Sequence, residues 1–242
     1  MKQLINNWLN NSQLFNFERF KHTIFKQNCI LCNAPEASNH AVCRACLNDL
    51  PWHASNSCPQ CGLESSGMLC GSCINAPPDF DVTCAVFLYQ FPIDAMMQRY
   101  KYGNSLNIGE RFGQFLSEKV NLKNIDLVIP MPMHPARIKQ RGFNQALEIA
   151  KVLVKNQPEK LDYKSALRQK LTPPQASLPL KQRVKNIKGA FKVIGDFSGK
   201  RIAIVDDVMT SGASLNELAK TLKKAGVSHV ECWVIARTLP HK

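Results

Sequence analysis

The apolar positions of the chain fall into two kinds of run that alternate along it. Short uninterrupted runs at 82–91, 126–129, 201–205 and 230–236 read as strands, since a strand covered on both faces needs no polar side. Between them, apolar residues recur at helical spacing. Ile108, Phe112, Phe115, Leu116 and Val120 mark a helix over 108–120, and Phe143, Leu147, Ala150 and Val154 mark another over 143–154. Residues 93–102 form a third, ending at Gly103. Leu215, Leu218 and Leu222 mark a fourth over 214–224, stopped by Gly226. Strands alternating with helices predict a parallel sheet with helices on both faces, an α/β fold. The segments 130–145 and 168–188 read as loops, the second polar and basic.

Chemistry concentrates where the 201–205 strand ends. Asp206 and Asp207 stand at its C-terminal edge, the edge at which open α/β sheets bind ligands. Val208, Met209, Thr210, Ser211, Gly212, Ala213 and Ser214 then lead into a helix whose first N–H groups attract a phosphate. Two carboxylates beside such a nest suit a sugar phosphate. The segment resembles the phosphoribosyl pyrophosphate (PRPP) motif of type I phosphoribosyltransferases. That resemblance implies Asp206 and Asp207 at the ribose hydroxyls, the 210–214 loop at the 5′-phosphate, and Mg²⁺ bridging the ribose hydroxyls and the pyrophosphate.

The same resemblance gives three other segments a meaning. Residues 130–145 occupy the position of a pyrophosphate loop, with Arg137, Lys139 and Arg141 facing the leaving group. Arg141, Asn144 and Gln145 look the more specific part of it. Cations at the start of the 143–154 helix would run against its dipole, which favours a ligand there. Lys101, in Tyr100-Lys-Tyr-Gly103, is a further pyrophosphate candidate. Gln175, Arg183 and Asn186 lie where this superfamily carries a hood loop that closes over substrate. No base-recognition motif, P-loop or dinucleotide fingerprint is present, so neither an NTPase nor a Rossmann dehydrogenase is supported.

Ten cysteines change the picture of the N-terminal third. Eight form four C-x-x-C pairs, Cys29/Cys32, Cys43/Cys46, Cys58/Cys61 and Cys70/Cys73. Two such knuckles complete a Cys₄ zinc site, so four predict two structural Zn²⁺ sites with no open position for catalysis. Consecutive and interleaved pairings of the knuckles both satisfy the spacing. Redox chemistry is disfavoured, because thioredoxin-like sites use one pair on a βαβ scaffold. Cys84 and Cys232 sit in apolar runs and read as core. The organisation expected is an amphipathic extension over 1–28, a double zinc ribbon over 29–76 and a phosphoribosyltransferase domain over 77–242.

Charge then bounds the partners. The formal net charge is +13; with eight thiolates around two Zn²⁺ it falls to about +9, so anionic partners are expected. PRPP is one, and single-stranded DNA another. No run approaches a membrane span. The Asn-rich start has no signal-peptide core, which together with thiolate sites points to the cytoplasm.

Taken together, the zinc knuckles, Lys101-Tyr-Gly, Pro130-Met-Pro with Arg141-Gly-Phe-Asn-Gln145, Gln175, Arg183 and Asn186, and Val205-Asp-Asp-Val-Met-Thr-Ser-Gly-Ala-Ser214 resemble the ComF family from Cys29 onward. The resemblance implies a role in DNA uptake during natural transformation, beside a helicase-like partner. Either a phosphoribosyltransferase with an unidentified acceptor or a non-catalytic PRPP-responsive adaptor fits.

Overall fold

Four of the apolar runs lie side by side in one parallel sheet. They are β1 (Val82–Leu88), β2 (Leu127–Pro130), β5 (Arg201–Met209) and β6 (His229–Arg237), in the order β1-β6-β5-β2. The structure is a computed structural model, and it describes residues 28–35, 41–103, 105–171 and 186–240. Residues 1–27 of the expected N-terminal extension, Gln175 and Arg183 fall outside those residues.

Alternation along the strands builds two cores. Ile202 and Ile204 of β5, with Val230, Cys232 and Val234 of β6, join Leu215, Leu218, Ala219 and Leu222 of a helix over Ala213–Lys224. Ala203 and Val205 point the other way, as the two-residue period of a strand requires. That second face carries the helices Leu106–Ser117 and Gln145–Leu153, which pack on each other. Helices therefore cover both faces, as the alternation of strands and helices predicts.

In chain order the described helices are α1 (Arg44–Asn48), α2 (Gly71–Asn75), α3 (Ile93–Tyr102), α4 (Leu106–Ser117), α5 (Pro135–Arg141), α6 (Gln145–Leu153) and α7 (Ala213–Lys224). Three elements differ from the sequence reading. The strand expected to stop at Val205 continues to Met209, because Asp206, Val208 and Met209 keep pairing with β6. Part of the expected 130–145 loop is the helix α5. The stretch expected as a polar loop is bounded by a small antiparallel hairpin, β3 (Ala166–Arg168) with β4 (Phe191–Val193). Of the two cysteines read as core, Cys232 is fully buried, whereas Cys84 is only half-buried. Burial still pushes the Cys84 thiol up to about 11.

By packing, the chain divides into residues 1–49 and 50–242. The first unit contains the Cys29/Cys32 and Cys43/Cys46 knuckles. The second contains the other two knuckles together with the sheet. There the Cys58–Cys61 turn meets the edge strand β1: Thr83 N–H donates to the Pro59 carbonyl (2.9 Å) and Thr83 Oγ1 to the Gln60 carbonyl (2.6 Å). Gln60 Nε2 donates to the Phe80 carbonyl (3.0 Å). The ribbon thus covers backbone that an open sheet edge would leave unpaired.

Candidate functional site

Two features carry chemistry: the cysteine clusters and a cleft at the C-terminal edge of the sheet. The knuckles pair consecutively. Cys29, Cys32, Cys43 and Cys46 form one group and Cys58, Cys61, Cys70 and Cys73 the other, with the sulphurs of each group within 4.8 Å of one another. The Cys32–Cys43 and Cys61–Cys70 sulphurs are 3.6 Å apart. A tetrahedron with Zn–S bonds of about 2.3 Å has edges of about 3.8 Å, so both groups fit.

The local electrostatics agree. Burial alone would raise the Cys29 and Cys58 thiols. Backbone N–H groups of Cys43, Cys32 and Leu31 outweigh it at Cys29, and those of Cys61, Cys70 and Gln60 at Cys58, holding each thiol at about 6. Cys46 and Cys73 are pushed up by burial and by the neighbouring sulphurs. A dication among the four sulphurs relieves that repulsion. Zinc held by these thiolates would be structural, since the four cysteines fill its coordination.

The cleft opens where β2 stops. Pro130 pairs with Val205 as the last rung on that side, and Met131 N–H donates to the Val205 carbonyl (2.8 Å). Beyond that rung β5 continues alone on this flank, so Asp206 and Asp207 face an opening of about 290 Å³. Lys101, Arg137, Arg141 and Arg168 also line it, as do Val208, Met209, Thr210, Gly212, Ala213 and Ser214. Four cations against two carboxylates make it a receptor for an anion.

Each wall has a local cause. Gly212 has φ +76° and leads into α7, whose first turn leaves its N–H groups without intrahelical partners. An L side chain is strained at that φ, so the turn favours glycine. His134 caps α5, its Nδ1 accepting from Ala136 N–H (3.2 Å), and Gly142 at φ +83° ends it. Asn144 caps α6 by accepting from Ala146 N–H (3.0 Å), while its Nδ2 donates to the Met131 carbonyl (3.1 Å). Asn144 therefore pins the 131–134 segment to the helix.

These placements revise one argument. Lys139 and Arg141 lie in the last turn of α5, where cations are favourable. The expected conflict with a helix dipole does not arise, and the case for a ligand at Arg141 rests instead on the cleft. Arg141 Nη1 donates to Gln145 Oε1 (3.3 Å), and its guanidinium lies over the Tyr102 ring at 5.4 Å. Gln145 is buried on the cleft wall, and its Nε2 has no hydrogen-bond partner among the described residues.

Asp206 is strongly perturbed. Burial, then the adjacent Asp207, pushes Asp206 up to about 7, against the Asp207 N–H, Lys101 and Arg168. Lys101 Nζ lies 3.0 Å from Asp207 Oδ2. Burial lowers the Lys101 ammonium, but Asp207 outweighs it and holds the group above its ordinary value. Burial holds Arg137 and Arg168 below theirs, with Arg141 acting on Arg137 and Arg137 on Arg168. Crowded cations of this kind suit an anionic ligand.

Most of the residues expected at the site are brought together here, with three exceptions. Lys139 is exposed and off the cleft wall. Neither Ser211 nor Asn186 lines the cleft; Ser211 Oγ instead accepts from Ala213 N–H (3.4 Å). Arg168 is the cation that sequence reasoning missed. Its signal was slight: a single Arg ending the three-residue strand β3.

The double zinc ribbon domain family matches residues 20–75, and the phosphoribosyl transferase domain family matches residues 136–240. Competence protein F of Haemophilus influenzae is 30% identical over 229 residues, spanning 88% of this chain and 98% of that protein. The chain belongs to the ComF family. DNA utilization protein YhgH of Salmonella typhimurium is 29% identical over 221 residues, 87% of this chain and 97% of that one. Competence protein ComFC of Streptococcus pneumoniae is 24% identical over 198 residues, 81% and 87% respectively. A purine phosphoribosyltransferase from Pyrococcus horikoshii aligns over 51% of this chain and 68% of its own, at 21% identity and a TM-score of 0.33. The assignment to the ComF family rests on the sequence relatives, and that structural likeness adds nothing to it. As a ComF member the chain combines a phosphoribosyltransferase-type sheet with two Cys₄ sites. No helix among the described residues is long and apolar enough to cross a membrane.

Proposed function

We propose that the chain binds PRPP with Mg²⁺ in this cleft and transfers the phosphoribosyl group, releasing pyrophosphate. The observation that carries the proposal is the convergence of the Asp206–Asp207 pair, the 208–214 turn and four cations on one opening. Asp206 and Asp207 take the ribose hydroxyls, the N–H groups at the start of α7 take the 5′-phosphate, and Arg137, Arg141 and Arg168 take the pyrophosphate. Carboxylate oxygens are also the donors that Mg²⁺ prefers. Bound there, Mg²⁺ would neutralise charge on the leaving group.

In the reaction the C1–O bond to pyrophosphate breaks and a bond from C1 to the acceptor forms. The residues act by positioning the sugar and by receiving the charge that accumulates on the departing oxygens. Lys101 orients Asp207 through their ion pair. Gln145, whose Oε1 accepts from Arg141, offers its amide N–H groups at the wall. The hood expected from Gln175, Arg183 and Asn186 would exclude water from the sugar cation.

The relatives' names, DNA utilization and competence proteins, support a role in handling DNA; the cytoplasm as its place, and single-stranded DNA and a helicase-like protein as partners, are part of the same proposal. A screen for pyrophosphate release from PRPP across nucleobases, nucleotides and DNA tests the catalytic claim. Release with one acceptor class, abolished by Asp207→Asn, supports an enzyme. PRPP binding without turnover across the whole screen would leave the adaptor reading in its place.

A further inference from the structure

Arg237 joins two parts of the molecule that the sequence keeps far apart. It is the last residue of β6, 3% exposed, and absent from the cleft wall. Its Nε donates to the carbonyl of Cys61, in a knuckle of the second zinc site (2.9 Å). Its Nη1 donates to the carbonyls of Met209 (2.9 Å), Thr210 and Thr238 (2.9 Å). Met209 and Thr210 are where β5 gives way to the turn before α7. One side chain therefore ties the entry of that turn to the ribbon.

A buried guanidinium needs a counter-charge as well as acceptors. The carbonyls supply the acceptors but no charge. The negative groups acting on Arg237 are the sulphurs of Cys61, Cys73 and Cys70. A closed Cys₄ site holding a dication keeps a net charge of about −2, so the metal-loaded ribbon supplies what the carbonyls do not. We infer that Arg237 is a positioning residue for the 208–214 turn, with the second zinc site as its anchor and counter-charge. Loss of metal from that site frees the Cys61 turn and removes the charge together, and the anion-binding turn loosens. These hydrogen bonds of Arg237 lie within residues 50–242, whereas the first site belongs to residues 1–49. The inference rests on the proposed phosphate role of the turn for one readout only.

Hydrogen exchange on the full chain tests it, comparing amides of 208–214 with those of α6 as a control. Arg237→Lys keeps the cation and loses the fork. It should speed exchange in 208–214 by roughly tenfold or more, leave α6 protected and retain two zinc per chain. Cys70→Ser, at the second site, should do the same to the turn, and Cys46→Ser, at the first, should not. PRPP affinity should fall about fivefold or more in Arg237→Lys. An exchange rate in Arg237→Lys equal to wild type would overturn the inference, as would Cys46→Ser loosening the turn as much as Cys70→Ser. Should α6 lose protection in Cys70→Ser, Arg237→Lys alone decides. If wild type bound no PRPP, the proposed function would fail while the exchange measurement still judged the link.

Discussion

Asp206 shows what burying a carboxyl beside another does to stability. Its carboxyl, ordinarily near 3.8, is pushed up to about 7 by burial and by Asp207. Between about pH 4 and pH 7 the folded chain therefore holds a proton that the unfolded chain has released. The contribution is full below pH 4 and is lost as pH rises towards 7. Asp206→Asn removes this titration. In thermal unfolding from about pH 5 to about pH 7.5 the wild-type Tm should fall more than that of the variant. Parallel curves would mean that Asp206 titrates normally. Asp206 and Asp207 were legible as a pair because they interrupt an apolar run. That same interruption placed the strand's end too early: polar side chains end an apolar pattern without ending backbone pairing. Arg168 gave less away, since one cation in a basic stretch has no pattern until β3 turns it towards the cleft.

At the scale of elements, the cleft wall depends on a tight junction of three helices. A Cβ on Gly109 would stand 2.5 Å from Tyr100 Oη, and one on Gly113 2.5 Å from Val152 Cβ. Tyr100 Oη donates to the Gln145 carbonyl (2.8 Å), so α3, α4 and α6 interlock beside the first turn of α6. Alanine would gain about 1 kcal/mol over glycine from helix propensity. Overpacking costs about 1–3 kcal/mol, and a β-branched valine cannot swing aside. The clash wins, so Gly113→Ala should lower stability by about 1 kcal/mol in urea denaturation; a gain would refute the close approach. The long helices were legible because their stripes span three turns or more. By contrast, α5 carries Ile138 as its only large apolar residue, leaving no stripe to read, although its Pro135 start and Gly142 stop were visible. The hairpin was hidden for another reason: strands of three residues, joined across more than twenty, have too short a period to detect.

At the scale of the molecule, the cysteine spacing gave the number of metal sites and left the pairing open. Geometry resolves it, because only consecutive knuckles bring four sulphurs together in each group. Elemental analysis of the full chain should find two zinc per chain, and about one in Cys70→Ser. A wild-type value near one would break the double-site account. The formal charge of +13 pointed to anions without naming one, and the four cations of the cleft now localise part of it. The central claim is that this cleft receives PRPP, and titration calorimetry with PRPP and Mg²⁺ at neutral pH tests it most directly. The account predicts one site per chain, with affinity reduced at least about a hundredfold in an Asp206→Asn/Asp207→Asn double variant. Absence of binding to wild type, or equal binding to both proteins, would contradict it.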